Sequence, residues 1–203
     1  MKTILLGSGN AKKLQELREM LAPIGLAVVS PSDLKEAPPP PEETEDSFLG
    51  NARLKACAYA QATGLPTLAD DSGLCVDALQ GRPGVFSARY AGPVASDKEN
   101  NELLLRELKN VPDDQRTAHY TCSLVLATPE RVLLETEGHC HGSILREPRG
   151  EGGFGYDPLF LLASGTQTFA ELGAAEKALV SHRGLALRAL IEKLTPLLHR
   201  LTS

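Results

Sequence analysis

At the start of the chain, a short run of apolar residues is followed by apolar residues that repeat at helical spacing. Thr3 to Leu6 form an apolar run that predicts a short buried strand. Leu14, Leu17 and Leu21 are spaced three and four residues apart, which predicts an amphipathic helix over Lys12 to Leu21. The chain therefore opens with a strand, a tight joint and a helix.

An acidic, proline-rich segment separates this opening from the next helix. A second extended stretch is predicted at Leu26 to Ser30, and the four consecutive prolines at positions 38–41 exclude regular structure after it. Asp46 or Ser47 is the predicted cap of a helix over Phe48 to Thr63, which a glycine closes. Asn51 and Lys55 lie four residues apart, so they share a face of this helix near the acidic segment.

The rest of the chain mixes extended segments with helices. A strand over Pro66 to Ala69 is predicted to end in a sharp acidic turn, and a second extended piece follows. Further predictions are a helix at about Lys98 to Leu108, a hairpin that turns at Pro129-Glu130, a strand at Leu159 to Leu162 and a last helix to about Leu201. The sequence predicts an α/β fold with a mixed central sheet flanked by helices.

Composition limits the partners that this fold can take. The 203 residues suffice for one large domain or a two-lobed one, and 42% hydrophobic with 23% charged residues are ordinary globular values. A net charge of −5 argues against a broad nucleic-acid footprint. The sequence shows neither a leader pattern nor an apolar run long enough to cross a membrane, so we expect a cytoplasmic protein with no membrane partner.

Four cysteines, Cys57, Cys75, Cys122 and Cys140, are not spaced as C-x-x-C and are predicted to be buried free thiols in a reducing compartment. The tripeptide at 139–141, His-Cys-His, resembles a metal cluster. On a strand, however, its histidines share one face and its cysteine points the other way, so we interpret it as structural.

The joint Gly7-Ser8-Gly9-Asn10 is predicted to present bare backbone N–H groups and a helix N-terminus to an anion. It matches neither standard phosphate motif, because Lys12 occupies a glycine position in both and Leu14 replaces the hydroxyl that would reach Mg²⁺. Any Mg²⁺ must then be held by carboxylates elsewhere. The alternative is a glycine turn that only shapes the chain.

Candidate carboxylates occur in two places. Asp70 and Asp71 follow a predicted buried strand, and the acidic segment adds Glu42, Glu43 and Glu45. Because Mg²⁺ prefers one or two carboxylates with water and phosphate oxygens, these acids together with Lys13, Lys55 and Lys177 fit a Mg²⁺-polyphosphate substrate. The alternative for the aspartates is a turn whose side chains bind local backbone.

Two further segments carry candidate substrate contacts. Phe154 and Tyr156, in a glycine-rich loop, are either part of a stacking platform for a base or a plug for the end of the sheet. His182 and Arg183 either donate to a carbonyl oxygen or pair with a neighbouring acid.

The ordered segments SGNAKK, ADDSGL, PGVFSARYAG, GGFGYDPLF, AEL with EK, and SHRG together resemble the inosine triphosphate pyrophosphatase family. The resemblance runs from about Thr3 to Ile191. It implies one nucleoside triphosphate pyrophosphatase domain over residues 1–203, with two lobes and a substrate cleft between them, usually in a homodimer. The implied reaction is Mg²⁺-dependent hydrolysis of ITP, dITP and XTP to the monophosphate and pyrophosphate, which removes deaminated purines from the nucleotide pool.

The resemblance also implies roles for individual residues. Glu43 and Asp71 match the carboxylates that bind Mg²⁺, and Asp71 also matches the acid that accepts a proton from the attacking water. The positions that match substrate contacts are Ser8, Gly9, Asn10, Lys13, Lys55, Ser72, Phe154, Gly155, Tyr156, Asp157, Lys177, His182 and Arg183.

One departure and two alternatives accompany this resemblance. Many family members carry an acid where this chain has Gly50. A glycine at this position is less favourable in a helix than alanine by about 1 kcal/mol. The missing acid also leaves Glu43 as the loop ligand. The alternative enzyme is a Maf-type pyrophosphatase of pyrimidine or modified nucleotides. The alternative outside catalysis is a nucleotide sensor that binds in the same cleft.

Overall fold

The structure is a computed structural model that describes residues 3–202, with side chains described for residues 3–196. The described strands are β1 (Thr3–Leu6), β2 (Ala27–Val29), β3 (Thr67–Val76), β4 (Thr117–Ala127), β5 (Val132–Ile144) and β6 (Phe160–Leu162). The described α-helices are α1 (Ala11–Leu21), α2 (Phe48–Thr63), α3 (Asp97–Glu107), α4 (Ala174–Val180) and α5 (His182–Thr202). Within this part of the chain, no helix is both long enough and apolar enough to cross a membrane.

All six of these strands form one sheet, in the order β2-β1-β3-β4-β5-β6. β1 pairs in parallel with β2 and with β3, whereas β6 pairs antiparallel with β5. β4 and β5 are neighbours in the sheet and are joined by residues 128–131, where the Thr128 N–H donates to the Arg131 carbonyl at 2.8 Å. The predicted mixed α/β sheet and its late hairpin are confirmed.

Helix α2 has the predicted bounds because both of its ends carry strong local signals. Ser47 is the N-cap, and its Oγ accepts a hydrogen bond from the Gly50 N–H at 3.1 Å. Gly64 ends the helix with φ of 70°, a left-handed conformation that favours glycine. These local signals also place Lys55 and Asn51 on the buried side of the helix.

The predicted turn at Asp70-Asp71 is wrong, because β3 runs without interruption from Thr67 to Val76. Carboxylates are rarely found within a buried strand, because burying an unpaired charge is costly. Here each one has its own cation: Lys13 Nζ lies 3.0 Å from Asp70 and Lys55 Nζ lies 3.0 Å from Asp71. Both lysines come from helices, α1 and α2. Because their charges offset the cost of burying the carboxylates, the strand continues through both aspartates.

Smaller differences concern the edges of elements. Residues 31–33 of the acidic segment form a 3₁₀ turn. The apolar positions 3, 4 and 8 residues after residue 100 favour an inward face for Leu103, Leu104 and Leu108, and of these Leu104 and Leu108 are buried whereas Leu103 is half-buried. All four cysteines are free, but Cys57 and Cys75 are half-buried rather than buried. His139 and His141 are exposed while Cys140 is buried, which confirms the predicted alternation of faces.

The chain divides into two compact units. The first unit contains the residues up to 71, residues 122–138 and the residues from 183, and the second contains residues 72–121 and 139–182. β3, β4 and β5 therefore each have residues in both units. Apolar side chains of β1, α1, β3, β4 and α5 form one core of the first unit, and the core of the second unit is rich in aromatic rings, including Tyr120, Phe160 and Phe169.

Arg116, at the start of β4, joins several elements of the second unit. Its side chain is buried, and its guanidinium donates to the carbonyls of Ile144 at 2.7 Å, Leu108 at 2.7 Å and Leu145 at 2.9 Å. One planar guanidinium thereby supplies hydrogen-bond donors to the carbonyls just after α3 and at the end of β5. Its five donors in a fixed fork suit this arrangement better than any other side chain.

We predict that Arg116→Met lowers the free energy of unfolding by about 3 kcal/mol, because it leaves three carbonyls without their donor. Urea denaturation followed by circular dichroism measures this. Arg106→Met, at an exposed position of α3, is the control and should change stability by about 0.5 kcal/mol or less. Equal effects of the two substitutions would contradict the structural role of Arg116.

Candidate active site

The glycine turn between β1 and α1 is built around Asn10. Its Oδ1 accepts hydrogen bonds from the backbone N–H groups of Lys12 at 3.0 Å and Lys13 at 3.2 Å, so Asn10 is the N-cap of α1. Our expectation of bare N–H groups is therefore wrong for these two, because the cap satisfies them. Ser8 is half-buried, and Gly9 is exposed with open space where a Cβ would lie.

Lys13 extends from this turn to a buried group of charges. Its Nζ lies 3.0 Å from Asp70 Oδ2, and Arg183 Nη2 lies 3.5 Å from the same oxygen. Arg183 also donates a short hydrogen bond to Glu16 of α1. Of the two possibilities that the sequence leaves open for Arg183, the structure shows pairing with neighbouring acids, and Asp70 links it to the lysine of the glycine turn.

Burial and these charges act in opposite directions on Asp70. Burial alone would raise the pKa of this carboxyl, but the charges of Lys13 and Arg183 outweigh it and hold the pKa well below its usual value. Burial alone would lower the pKa of Arg183, but the charge of Asp70 opposes burial and the net pKa is raised. Asp70 is therefore an ionised carboxylate that stabilises a buried cation, Arg183, and a half-buried one, Lys13.

A second charged group forms around Lys55 of α2. Lys55 Nζ donates to Glu43 Oε1 at 2.7 Å and to Asp71 Oδ1 at 3.0 Å, so one ammonium brings together the two carboxylates predicted to bind Mg²⁺. Both the loop acid and the strand acid are largely buried with this lysine. The sequence could not show this meeting, because the three residues lie on three different elements.

This group contains two carboxylates and one ammonium, so its formal charge is negative when all three are ionised. Burial raises the pKa of Asp71; Lys55 lowers it, but the charge of Glu43 raises it again, and the net direction is upward. Burial would lower the pKa of Lys55, yet Asp71, Asp70 and Glu43 together raise it. An additional cation beside Asp71 and Glu43 would relieve this repulsion.

Among the described residues, no group of three or more His, Cys, Asp or Glu side chains is arranged to hold a metal ion. A pair of carboxylates such as Glu43 and Asp71 is nevertheless compatible with Mg²⁺, because this ion keeps several waters and takes its remaining ligands from substrate phosphates.

In the second unit, Asp157 organises the glycine-rich loop. Its Oδ2 accepts from the Phe154 N–H at 2.8 Å and from Lys177 Nζ at 2.6 Å, and Lys177 Nζ also lies 4.9 Å from the centroid of the Phe154 ring. Gly153 has φ of 75°, and a Cβ there would lie 2.1 Å from Asp157 Oδ2. The tight turn that presents Phe154 therefore requires glycine at 153.

Helix α3 holds the same loop from its N-terminal end. Asp97 Oδ2 accepts from the Gly155 N–H at 2.7 Å, and Asn101 Nδ2 donates to the Gly155 carbonyl at 3.0 Å. No sequence pattern singled out either residue as part of the site. Their spacing of four places them on one face of a helix, but nothing local indicates that this face meets a loop more than fifty residues later.

The two aromatic residues of the loop differ in their environments. Tyr156 lies in the core of the second unit, its hydroxyl donates to the Ser87 carbonyl at 2.8 Å, and burial raises its pKa. Phe154 is half-buried. His182 is buried, with its ring stacked on Tyr120 at a centroid distance of 4.6 Å. Tyr156 therefore fits the plugging alternative, whereas Phe154 retains an accessible part.

The predicted site residues thus fall into one group in each unit. The first unit holds Ser8, Gly9, Asn10, Lys13, Glu43, Lys55, Asp71 and Arg183. The second unit holds Ser72, Phe154, Gly155, Tyr156, Asp157, Lys177 and His182. In the first unit, ion pairs connect Lys13 and Arg183 through Asp70, and they connect Glu43 and Asp71 through Lys55. In the second unit, hydrogen bonds connect Phe154, Asp157 and Lys177. The substrate roles of all the listed residues stay predictions.

The mixed sheet and the paired acids and lysines of the first unit define an α/β protein with a charged site at the glycine turn and on the neighbouring strand. Residues 4–193 match the family model described as the Ham1 family. The chain belongs to the Ham1 family.

Known relatives resemble the chain over nearly its full length. The dITP/XTP pyrophosphatase of Thermus thermophilus is 51% identical over 189 residues, which cover 93% of this chain and 90% of that protein. The dITP/XTP pyrophosphatase of Escherichia coli K12 is 46% identical, with coverage of 96% and 98%. A solved HAM1 protein structure from Coxiella burnetii has a TM-score of 0.88 at 42% identity, with coverage of 97% and 100%.

We predict that Asp70 makes the stability of the protein pH-dependent. Because the folded-state pKa of Asp70 lies below the value of about 4 in an unfolded chain, its contribution is complete above pH 4 and is lost as the pH falls toward the folded value. Asp70→Asn should therefore be less stable than wild type at pH 6, with a smaller difference at pH 3. Urea denaturation at both pH values measures this, and a constant difference would contradict it.

Proposed function

We propose that the protein is a Mg²⁺-dependent nucleoside triphosphate pyrophosphatase that hydrolyses ITP, dITP and XTP to the monophosphate and pyrophosphate. The observation that carries the proposal is the meeting of Glu43 and Asp71 at Lys55, together with the ion pair of Lys13 and the buried Asp70. The activity for which the relatives are named, dITP/XTP pyrophosphatase, supports the same substrates. Both units would belong to one pyrophosphatase domain.

The first unit would bind the triphosphate. Ser8, Gly9 and Asn10 form the rim of the glycine turn, where Gly9 and Asn10 are exposed and Ser8 is half-buried. Lys13 supplies a positive charge from the first turn of α1. A phosphate would compete with Asp70 for the Lys13 ammonium, since both are anionic acceptors. Lys55 would contribute its charge from between the two carboxylates.

Glu43 and Asp71 would hold the magnesium ion, with water and phosphate oxygens as the remaining ligands. When bound, the ion would supply positive charge that neutralises the triphosphate in the transition state. Asp71 would accept a proton from the attacking water through a carboxylate oxygen. Burial and the Glu43 charge raise the pKa of Asp71, and a base whose pKa is raised accepts a proton more readily.

Recognition of the base would depend on donors that face the 6-keto oxygen of hypoxanthine or xanthine. An adenine amino group at that position would leave a buried donor unpaired, which is costly. The proposed contacts are Phe154, Gly155, Asp157 and Lys177 of the second unit, with His182 and Arg183. Asp157 and Lys177 hold Phe154 in a defined orientation, which suits stacking on a base.

The homodimer implied by the family resemblance and the cytoplasmic location expected from the sequence belong to the same proposal. Four free cysteines among the described residues support a reducing compartment.

A panel of ITP, dITP, XTP, GTP, ATP and dTTP tests the function, with pyrophosphate release measured as kcat/KM in the presence of Mg²⁺. We expect the three deaminated purine nucleotides to have the highest values. A preference for dTTP would favour the Maf-type alternative, and tight ITP binding without pyrophosphate release would favour the sensor. Hydrolysis in ¹⁸O-labelled water identifies the phosphorus attacked, because the labelled product contains that phosphorus.

We predict that Asp71→Asn lowers kcat for ITP by about 100-fold or more, because the amide cannot accept the proton and binds Mg²⁺ weakly. The near-isosteric amide should retain the fold, which thermal unfolding and circular dichroism check. Near-normal turnover in a folded Asp71→Asn protein would exclude Asp71 as the base.

A further inference from the structure

Asn51 is a buried residue of α2 that no functional assignment above includes, although it contacts both sources of the proposed metal ligands. Its side chain is fully buried. Its Nδ2 donates to Asp71 Oδ2 at 3.3 Å, and it lies one turn before Lys55, which donates to Asp71 Oδ1. The two oxygens of the Asp71 carboxylate are therefore held by two side chains of one rigid helix.

The same amide also holds the acidic loop. Asn51 Oδ1 accepts from the Glu45 N–H at 3.0 Å, and Asn51 Nδ2 donates to the Glu45 carbonyl at 3.2 Å. Glu45 is two residues after Glu43, so this pair of hydrogen bonds fixes the backbone close to the loop carboxylate. A single side chain thus connects the strand acid with the loop acid.

Gly50 makes room for this connection. A Cβ at position 50 would lie 2.8 Å from Glu45 Cβ and 2.9 Å from Ser47 Oγ, closer than real Cβ contacts. The stem of Glu45 occupies the space that a side chain at position 50 would need. The missing acid at Gly50 therefore accompanies a loop that packs tightly against the start of α2.

We propose that Asn51 is a positioning residue that sets the separation and orientation of the Glu43 and Asp71 carboxylates for a divalent cation. The amide suits this role because it donates and accepts at once, as its two partners require. The inference rests on the proposed function, since it concerns the same metal-binding carboxylates. Partners that orient metal ligands typically change metal affinity by about 10- to 100-fold when removed.

The test compares Asn51→Ala with wild type in two measurements. The first is the Mg²⁺ concentration that gives half-maximal ITP hydrolysis at saturating ITP, which we expect to rise about 10-fold or more. The second is Mn²⁺ binding to the protein without nucleotide, followed by electron paramagnetic resonance, which should weaken by a similar factor. The KM for ITP at saturating Mg²⁺ should change much less than either.

Asn100 offers a matched control. It is also a buried asparagine on a helix, and it also holds loop backbone, accepting from the Ala91 N–H at 2.8 Å and donating to the Ala88 carbonyl at 3.3 Å. Asn100→Ala removes the same number of loop contacts without touching the acids of the first unit. We expect it to lower the melting temperature while the Mg²⁺ requirement and Mn²⁺ binding stay at the wild-type values.

A double-variant cycle separates positioning from general loss of stability. If Asn51 acts through the loop carboxylate, Asn51→Ala should weaken Mn²⁺ binding less in a Glu43→Gln background than in wild type. Equal effects in both backgrounds would overturn the coupling between Asn51 and Glu43.

The remaining outcomes are also decisive. Wild-type Mg²⁺ requirement and Mn²⁺ binding in folded Asn51→Ala, or in Asn51→Ser if the alanine variant does not fold, would overturn the inference. Failure of both Asn51 variants to fold, while Asn100→Ala folds, would make Asn51 a structural residue only. If wild type binds Mn²⁺ at this site but does not hydrolyse ITP, the proposed function fails while the Mn²⁺ measurements still test Asn51.

Discussion

The pairing of two adjacent buried aspartates with separate lysines is the interaction on which the rest of the first unit depends. Successive side chains on a strand point to opposite faces, so Asp70 and Asp71 need different partners. Lys13 reaches Asp70 from the start of α1, and Lys55 reaches Asp71 from the middle of α2. These two contacts tie both helices to β3 and allow carboxylates to stay ionised in a place where an unpaired charge would be costly.

The two ion pairs have different chemical consequences. Asp70 has two cations, so its pKa falls and its charge is stable, which suits a structural anion that holds Lys13 and Arg183 in place. Burial and the charge of Glu43 raise the pKa of Asp71 although Lys55 opposes them, so this carboxylate would gain from a further cation. Adjacent residues of the same type thereby differ in their electrostatics, which is why we propose the proton acceptor at Asp71 and not at Asp70.

The glycine-rich loop of the second unit follows the same principle of a carboxylate at the centre of several donors. Asp157 binds the Phe154 N–H and the Lys177 ammonium, and α3 holds both polar groups of Gly155. The loop therefore has a defined conformation without regular secondary structure. A rigid aromatic ring beside a lysine suits recognition of a flat, electron-rich base, since little conformational entropy is lost on binding.

Local signals in the sequence determined β1, the bounds of α2, the hairpin and the mixed sheet, because caps, hydrophobic repeats and turn residues act over a few positions. They also indicated two sources of carboxylates and three lysines as candidates for a polyphosphate site, and the family resemblance then selected Glu43 and Asp71 among the acids. They failed at Asp70-Asp71, where two acids and a following serine and glycine favour a turn locally. They placed Asn51 on the helix face of Lys55 without showing what it binds, and they gave no sign of Asp97 or Asn101. Tertiary structure decided those points. The lysines that make buried aspartates favourable in β3, and the loop backbone that Asn51 and Asp97 bind, lie on elements other than those of the residues they contact.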